Sequence, residues 1–340
     1  LVINDLGMLD VHMKLLGNRL KLGFREQKSA HVVEASIQHG NFSQDRLREI
    51  TGETSGGKSI AIKAKLFVDA SGLKATLRKS HPHAQLLWPT IHLKDTCTAA
   101  QVTFSIKDRH GAQTYLEKQH IHPGDVLSDV GFMGGYSLFR SQIDHNLNHI
   151  SILCGVRAVP EYDSALSVVG KFVQKNPWIH QSFIEGRGVI PINGPYHQLI
   201  APGLALLGDA ACQVYSAHGS GIGIGLIAAK ILADTIIEAH HADLDIGSLP
   251  VLAKYPRIFH QKYYKRLYFS EHFRKFSQDL DETQMIKLLD SGVLSHHLVQ
   301  QTLMQMDPHV PPSAIQPFLT SAIRTPRIFV SMIPVLTKAI

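Results

Sequence analysis

Leu204-Ala-Leu-Leu-Gly-Asp-Ala-Ala-Cys212, continuing through His218-Gly-Ser-Gly-Ile-Gly-Ile-Gly225, reads as a buried strand, an acidic turn and a helix opened by glycines. The apolar run Leu204 to Leu207 fits a central strand, and Ile222 to Ile237 has the length and composition of a buried helix. Asp209 supplies a carboxylate at the strand's carboxyl end, where it can accept hydrogen bonds from polyol or ribose hydroxyls. Gly219, Gly221, Gly223 and Gly225 let a planar or anionic ligand come close to the backbone, and the helix start adds free N–H groups and a partial positive charge. Taken alone, the stretch also fits a plain tight turn ahead of a buried helix.

A second element narrows the choice. Lys65-Leu-Phe-Val-Asp-Ala-Ser-Gly72 is another short apolar strand ending in an acidic, small-residue turn, with Arg78 following. The pair, in this order, resembles the second and third fingerprints of the two-dinucleotide-binding, glutathione-reductase-like FAD enzymes. Within them the wording is most similar to geranylgeranyl reductases, and next to flavin-dependent halogenases; the resemblance extends from about Leu9 to Glu238. It implies an α/β fold, a partial FAD-binding Rossmann-like domain carrying an inserted antiparallel β-sheet substrate domain and a helical C-terminal region.

The resemblance assigns FAD to Asp69, Ser71, Gly72, Arg78, Gly208, Asp209, Ala210, Gly219, Gly221, Ile222 and Gly223. Asp209 would bind the ribityl chain, and the Asp69–Gly72 turn would bring backbone to the cofactor. Arg78 would bridge strand ends or meet phosphate, and the N–H groups opening the helix near Gly221 would face the electron-rich edge of reduced flavin. His218 lies near the flavin in sequence, but no general acid can be named from spacing. NAD(P)H is one candidate electron donor and ferredoxin another.

Three departures qualify the resemblance. Ala75 stands where related aromatic hydroxylases usually have serine, and Tyr215-Ser216-Ala217 stands where they usually have proline. No Gly-x-Gly-x-x-Gly follows a strand near Leu1, so the expectation is a chain lacking the amino-terminal strand-turn-helix unit that would hold the pyrophosphate.

Composition sets the remaining bounds. With 340 residues, 44% hydrophobic and 18% charged, the chain is an ordinary globular protein of about two domains. Cys97, Cys154 and Cys212 form no disulfide or metal pattern, which favours a reducing, cytoplasmic setting; Cys212 reads as a buried structural thiol. The 21 histidines are scattered without ligand spacing, so no metal is expected. A net charge of +6 without a dense basic block or a recognisable module argues against nucleic acid.

Periodicity predicts a helix over 9–20, strands at Leu22–Arg25 and Ala30–Ile37, and a hairpin turn at Ser55-Gly-Gly57. Strands follow at Ala100–Ile106, Tyr136–Arg140 and Ile150–Val156, then a helix at Ala165–Gln174 and a return at Gly188–Ile192. The expected division is 1–80 with 186–240 for FAD, 81–185 for substrate, and 241–340 helical, broken by Pro256, Pro308, Pro311-Pro312, Pro317, Pro326 and Pro334. Gly134-Gly-Tyr-Ser-Leu-Phe139 resembles an aromatic strand lining the geranylgeranyl reductase cavity, which would set Tyr136 and Phe139 against a hydrophobic substrate, with His218 near it; ordinary sheet core is the competing reading. Lys254–Phe269 mixes basic and aromatic residues, a pattern that suits either peripheral membrane contact or packing on its own domain. The leading expectation is an FAD-dependent reductase of an isoprenoid-like substrate. A flavin monooxygenase or halogenase is the alternative, and a non-catalytic truncated remnant the third.

Overall fold

The computed structural model describes residues 33–286 apart from 134, 135, 279, 282 and 285. The expected elements before residue 33, the Gly134-Gly135 pair and the prolines from 308 onward lie outside the described residues. In chain order the strands are β1 (Ala35–Ser43), β2 (Arg46–Thr54), β3 (Ser59–Lys63), β4 (Phe67–Asp69), β5 (Thr96–Ile106), β6 (Val126–Val130), β7 (Ser137–Ile143), β8 (His149–Arg157), β9 (Ile179–Pro191), β10 (Ile200–Ala201) and β11 (Leu204–Leu206). The principal helices are α1 (Thr76–Ser80), α2 (Arg109–Lys118), α3 (Ala165–Lys175), α4 (Ile222–His241), α5 (Lys254–Phe259) and α6 (Lys265–Ser277), with a π-helical turn at His260–Tyr264 joining the last two.

The described residues divide into two units, one containing Cys97–Val189 and the other containing Ala35–Thr96 and the described residues from Ile190 to Ile286. Residues 81–96 thus fall with the second, larger unit. In it, β1, β2 and β3 form an antiparallel meander. Its second turn is the expected one, where Gly57 takes φ +75° and its N–H donates to Thr54 C=O at 2.9 Å. Its first turn escaped the sequence reading because Gln44 and Asp45 both adopt positive φ without a glycine to announce it.

β4 and β11 lie side by side and parallel, pairing Phe67 with Leu204 and Asp69 with Leu206. The two acidic turns therefore leave the same end of one sheet, as the fingerprint pair requires. Leu204, Ala205 and Leu206 are fully buried. Helix α4 packs Ile224, Ala228 and Leu232 into the same core, one residue per turn at i, i+4 and i+8. The helix is not buried all round as its composition suggested: Ile222 is 57% and Leu226 61% exposed. The C-terminal helices share this core through Tyr255, Phe259 and Leu267, so the aromatic side of the basic segment packs on its own domain. No helix among the described residues is long and apolar enough to cross a membrane.

The other unit is a five-stranded sheet in the order β6-β7-β8-β5-β9. Strict alternation along β7 sends Ser137, Phe139, Ser141 and Ile143 inward, where Phe139 joins a core that also takes Leu116 of α2 and Val169 of α3. Both helices begin at side-chain caps: Asp108 accepts from Gly111 N–H at 3.1 Å, and Ser164 from Ser167 N–H at 3.2 Å. The sequence reading found β5, β7, β8 and α3 but missed β6, α2 and most of β9. β9 is an edge strand whose polar, exposed residues carry no alternation to read.

Candidate functional site

The two acidic turns are alike in sequence and opposite in wiring. Asp69 is buried, and its carboxylate is saturated by four donors. One oxygen accepts from Ser71 N–H at 3.1 Å and Ser71 Oγ–H at 2.6 Å, the other from Leu77 N–H at 3.1 Å and Arg78 N–H at 3.0 Å. The last two are free donors of the first turn of α1, which a helix normally satisfies with the side chain of its N-cap residue. Here the N-cap is Ala75, held in the left-handed region at φ 43° and unable to cap. Asp69 does that work from the end of β4, which gives the alanine departure a structural explanation.

Asp209 is different. It is half-buried, and no described residue donates a hydrogen bond to its carboxylate. Burial pushes its pKa up, the signature of a carboxylate with lost solvent and no compensating donor. It lies against the start of α4, since a Cβ built on Gly221 would sit 3.4 Å from Asp209 Oδ1. That helix start has no side-chain cap, and its first internal bond runs from Gly225 N–H to Gly221 C=O at 2.9 Å, so the N–H groups of Ile222, Gly223 and Ile224 find no acceptor among the described residues. Gly72 and Gly208 take positive φ, +67° and +61°, and a Cβ at either, or at Gly223, would meet nothing within 4 Å. The turns at Gly72–Lys74 and Gly208–Ala211 touch each other.

The loop between Asp209 and α4 is tied to itself and to its neighbours. Tyr215 N–H donates to Ser220 C=O at 2.9 Å, and Gly219, at φ +70°, donates back to Tyr215 C=O at 2.9 Å. The Tyr215 and His218 rings stack at 5.8 Å. Ala217 N–H donates to Ser270 Oγ of α6 at 2.9 Å. Gly208 N–H donates to Gln213 Oε1 at 2.8 Å, Gln213 Nε2 donates to the Tyr255 hydroxyl at 2.6 Å, and that hydroxyl donates to Leu206 C=O at 3.0 Å. Gln213, Tyr255 and Ser270 were missed by the sequence reading. A glutamine with no charge to attract notice inside an apolar stretch was the one available signal.

Arg78 is buried, with its guanidinium 4.8 Å from the centre of the Tyr196 ring and its Nη1 without a hydrogen-bond partner among the described residues. The Tyr196 contact is internal to the unit. Cys212 is fully buried and burial pushes its thiol up to about 12, so it is an inert core thiol. Among the described residues no three metal-ligating side chains gather.

Asp69, Ser71, Gly72, Arg78, Gly208, Asp209, Ala210, His218, Gly219, Gly221, Ile222 and Gly223 all fall in the larger unit. Tyr136 and Phe139 belong to the other unit, and Phe139 is 7% exposed with its ring packed against Phe132 at 6.4 Å and Phe172 at 5.0 Å. It serves as sheet core in this structure.

Solved structures share this architecture. A geranylgeranyl bacteriochlorophyll reductase-like protein from Thermoplasma acidophilum superposes with a TM-score of 0.62 at 14% identity, covering 88% of this chain and 69% of that one. The chain shares the fold of that protein. A flavin-dependent brominase superposes with a TM-score of 0.51 at 11% identity, covering 86% of this chain and 70% of that one. Among curated relatives, digeranylgeranylglycerophospholipid reductase 2 of Methanothermobacter thermautotrophicus is 30% identical over 126 residues, 37% of this chain and 32% of that protein. Digeranylgeranylglycerophospholipid reductase 1 of Methanopyrus kandleri is 22% identical over 281 residues, 82% of this chain and 68% of that protein. The chain therefore spans between about a third and two thirds of the length of these relatives. No family model matches it.

Proposed function

We propose that the chain is an FAD-dependent oxidoreductase that reduces a hydrophobic, isoprenoid-like substrate. The observation that carries this reading is the contrast between the two carboxylates: Asp69 is spent on its own helix, whereas Asp209 stands undonated beside an uncapped helix start and open glycine backbone. Those features fit a ligand that offers hydroxyl donors at one place and an electron-rich edge at the next, which are the properties of the ribityl chain and ring of FAD. Asp209 would accept from ribityl hydroxyls, and the N–H groups of Ile222 and Gly223 would donate to the ring edge. Gly72 and Gly208 would allow backbone approach, while Asp69 keeps the opposing turn rigid. The bound cofactor supplies hydride transfer, and the protein supplies position and exclusion of water.

The names of the curated relatives favour an isoprenoid double bond as the group reduced, with NAD(P)H as one candidate donor. The likeness to a brominase keeps flavin-dependent oxygen chemistry as the second reading. The two are separated by photoreducing the flavin-loaded protein under anaerobic conditions, then adding a prenylated lipid, or a small phenol with oxygen. The expected outcome is flavin oxidation by the lipid alone. No reaction with the lipid, together with phenol-stimulated oxidation by oxygen, would replace the reductase with a monooxygenase.

A further inference from the structure

Asp209 can serve a ligand only if the chain on either side of it is fixed, because no described residue donates a hydrogen bond to the carboxylate itself. That fixing comes from two side chains outside the acidic turn. Leu206 C=O accepts from the Tyr255 hydroxyl at 3.0 Å, the Tyr255 oxygen accepts from Gln213 Nε2 at 2.6 Å, and Gln213 Oε1 accepts from Gly208 N–H at 2.8 Å. The last residue of β11 and the first of the turn are thereby joined through a closed relay. Gln213 also lies past Asp209 in sequence, and its own N–H donates to Gly208 C=O at 3.0 Å, so the same residue holds both the N–H and the C=O of Gly208. Leu206, Gln213 and Tyr255 are all fully buried, which leaves no water to replace a lost bond.

The relay runs in one direction only. Gly208 N–H requires an acceptor, which sets the carboxamide oxygen toward it and the amide nitrogen toward tyrosine. Leu206 C=O requires a donor, which the tyrosine proton supplies. Burial pushes the Tyr255 pKa up, so the hydroxyl keeps that proton throughout the physiological range. Tyr255 comes from α5, in the segment whose aromatic residues otherwise pack as core.

We propose that Gln213 and Tyr255 are positioning residues for the cofactor, acting through the Gly208–Asp209 turn and never touching the ligand. This inference rests on the flavin reading above. The full chain is titrated with FAD, following quenching of flavin fluorescence, as wild type, Tyr255→Phe, Asp209→Asn and the double variant. Tyr255→Phe is expected to weaken binding roughly tenfold, the effect of one buried hydrogen bond, and to do so by less than about twofold in the Asp209→Asn background. Amide exchange at Gly208 in the cofactor-free protein is expected to speed up by roughly tenfold with the same substitution. Gln213→Leu breaks the middle of the relay and gives the same comparison should Tyr255→Phe not fold. Equal loss of affinity in both backgrounds would reduce the pair to a structural role, and unchanged exchange at Gly208 would remove the relay itself. Absence of FAD binding by the wild-type chain would instead overturn the flavin reading, and this inference with it.

Discussion

Asp69 ends β4 and Asp209 lies in the turn that follows β11, its parallel neighbour, yet one is consumed and the other offered. The difference sets opposite expectations for removing them. Asp69→Ala strips four hydrogen bonds and leaves the buried N–H groups of Leu77 and Arg78 without an acceptor, which is expected to cost about 3 kcal/mol in a denaturant melt. Asp209→Ala removes a carboxylate that burial destabilises and no donor rewards, so stability is expected to hold within about 1 kcal/mol or to rise. A melt in which Asp209→Ala is the more damaging change would mean that its carboxylate has a structural partner after all. The sequence marks both residues as acidic turns but does not separate them. What separates them is whether a helix start needs capping six to nine residues later, and the clue to that was Ala75, an N-cap that cannot cap.

At the scale of elements, the strands with regular alternation and the helix with a serine cap were legible, as were the hairpin glycines. Edge strand β9, the Gln44-Asp45 turn and the one-sided exposure of α4 were not, because polar edges, non-glycine positive φ and neighbour placement leave no periodic trace. Contacts between elements also create chemistry invisible in sequence. His81, next after α1, is buried edge-on between Phe42 of β1 at 4.9 Å and Trp88 at 5.4 Å, with its Nδ1 accepting from His83 N–H at 3.1 Å. Burial, and secondarily the nearby His83, lowers its pKa from the ordinary 6.5, against a weaker upward pull from Asp45. His260, in the π-helical turn, is lowered in the same direction, first by burial and then by His197. The unfolded chain binds protons at these histidines before the folded one does, so stability should fall as the pH drops below about 6.5 and level off once the folded groups titrate. The slope is bounded by about 1.4 kcal/mol per pH unit for each histidine. Denaturant unfolding at several pH values checks this, and His81→Phe should flatten part of the acid limb; an unchanged limb would mean that His81 is protonated without cost.

At the scale of the whole molecule, the fingerprint strands are separated in sequence by more than a hundred residues, among them a complete five-stranded sheet, and are brought edge to edge by the parallel pairing of Phe67–Asp69 with Leu204–Leu206. Local patterns could not foresee that pairing; it was legible because two acidic turns in a fixed order match a known arrangement. The roles of Gln213 and Tyr255 were not legible, since a buried relay is defined by three-dimensional partners alone. Binding of FAD through Asp209 is read most directly by titrating the full chain with FAD beside Asp209→Ala and following fluorescence quenching. The expected result is saturable binding that the substitution weakens by about 1.5 to 3 kcal/mol, the usual loss for a charge-assisted hydrogen bond, with the melt unimpaired. No binding by the wild-type chain, or equal binding by the variant, would contradict a flavin site built on Asp209.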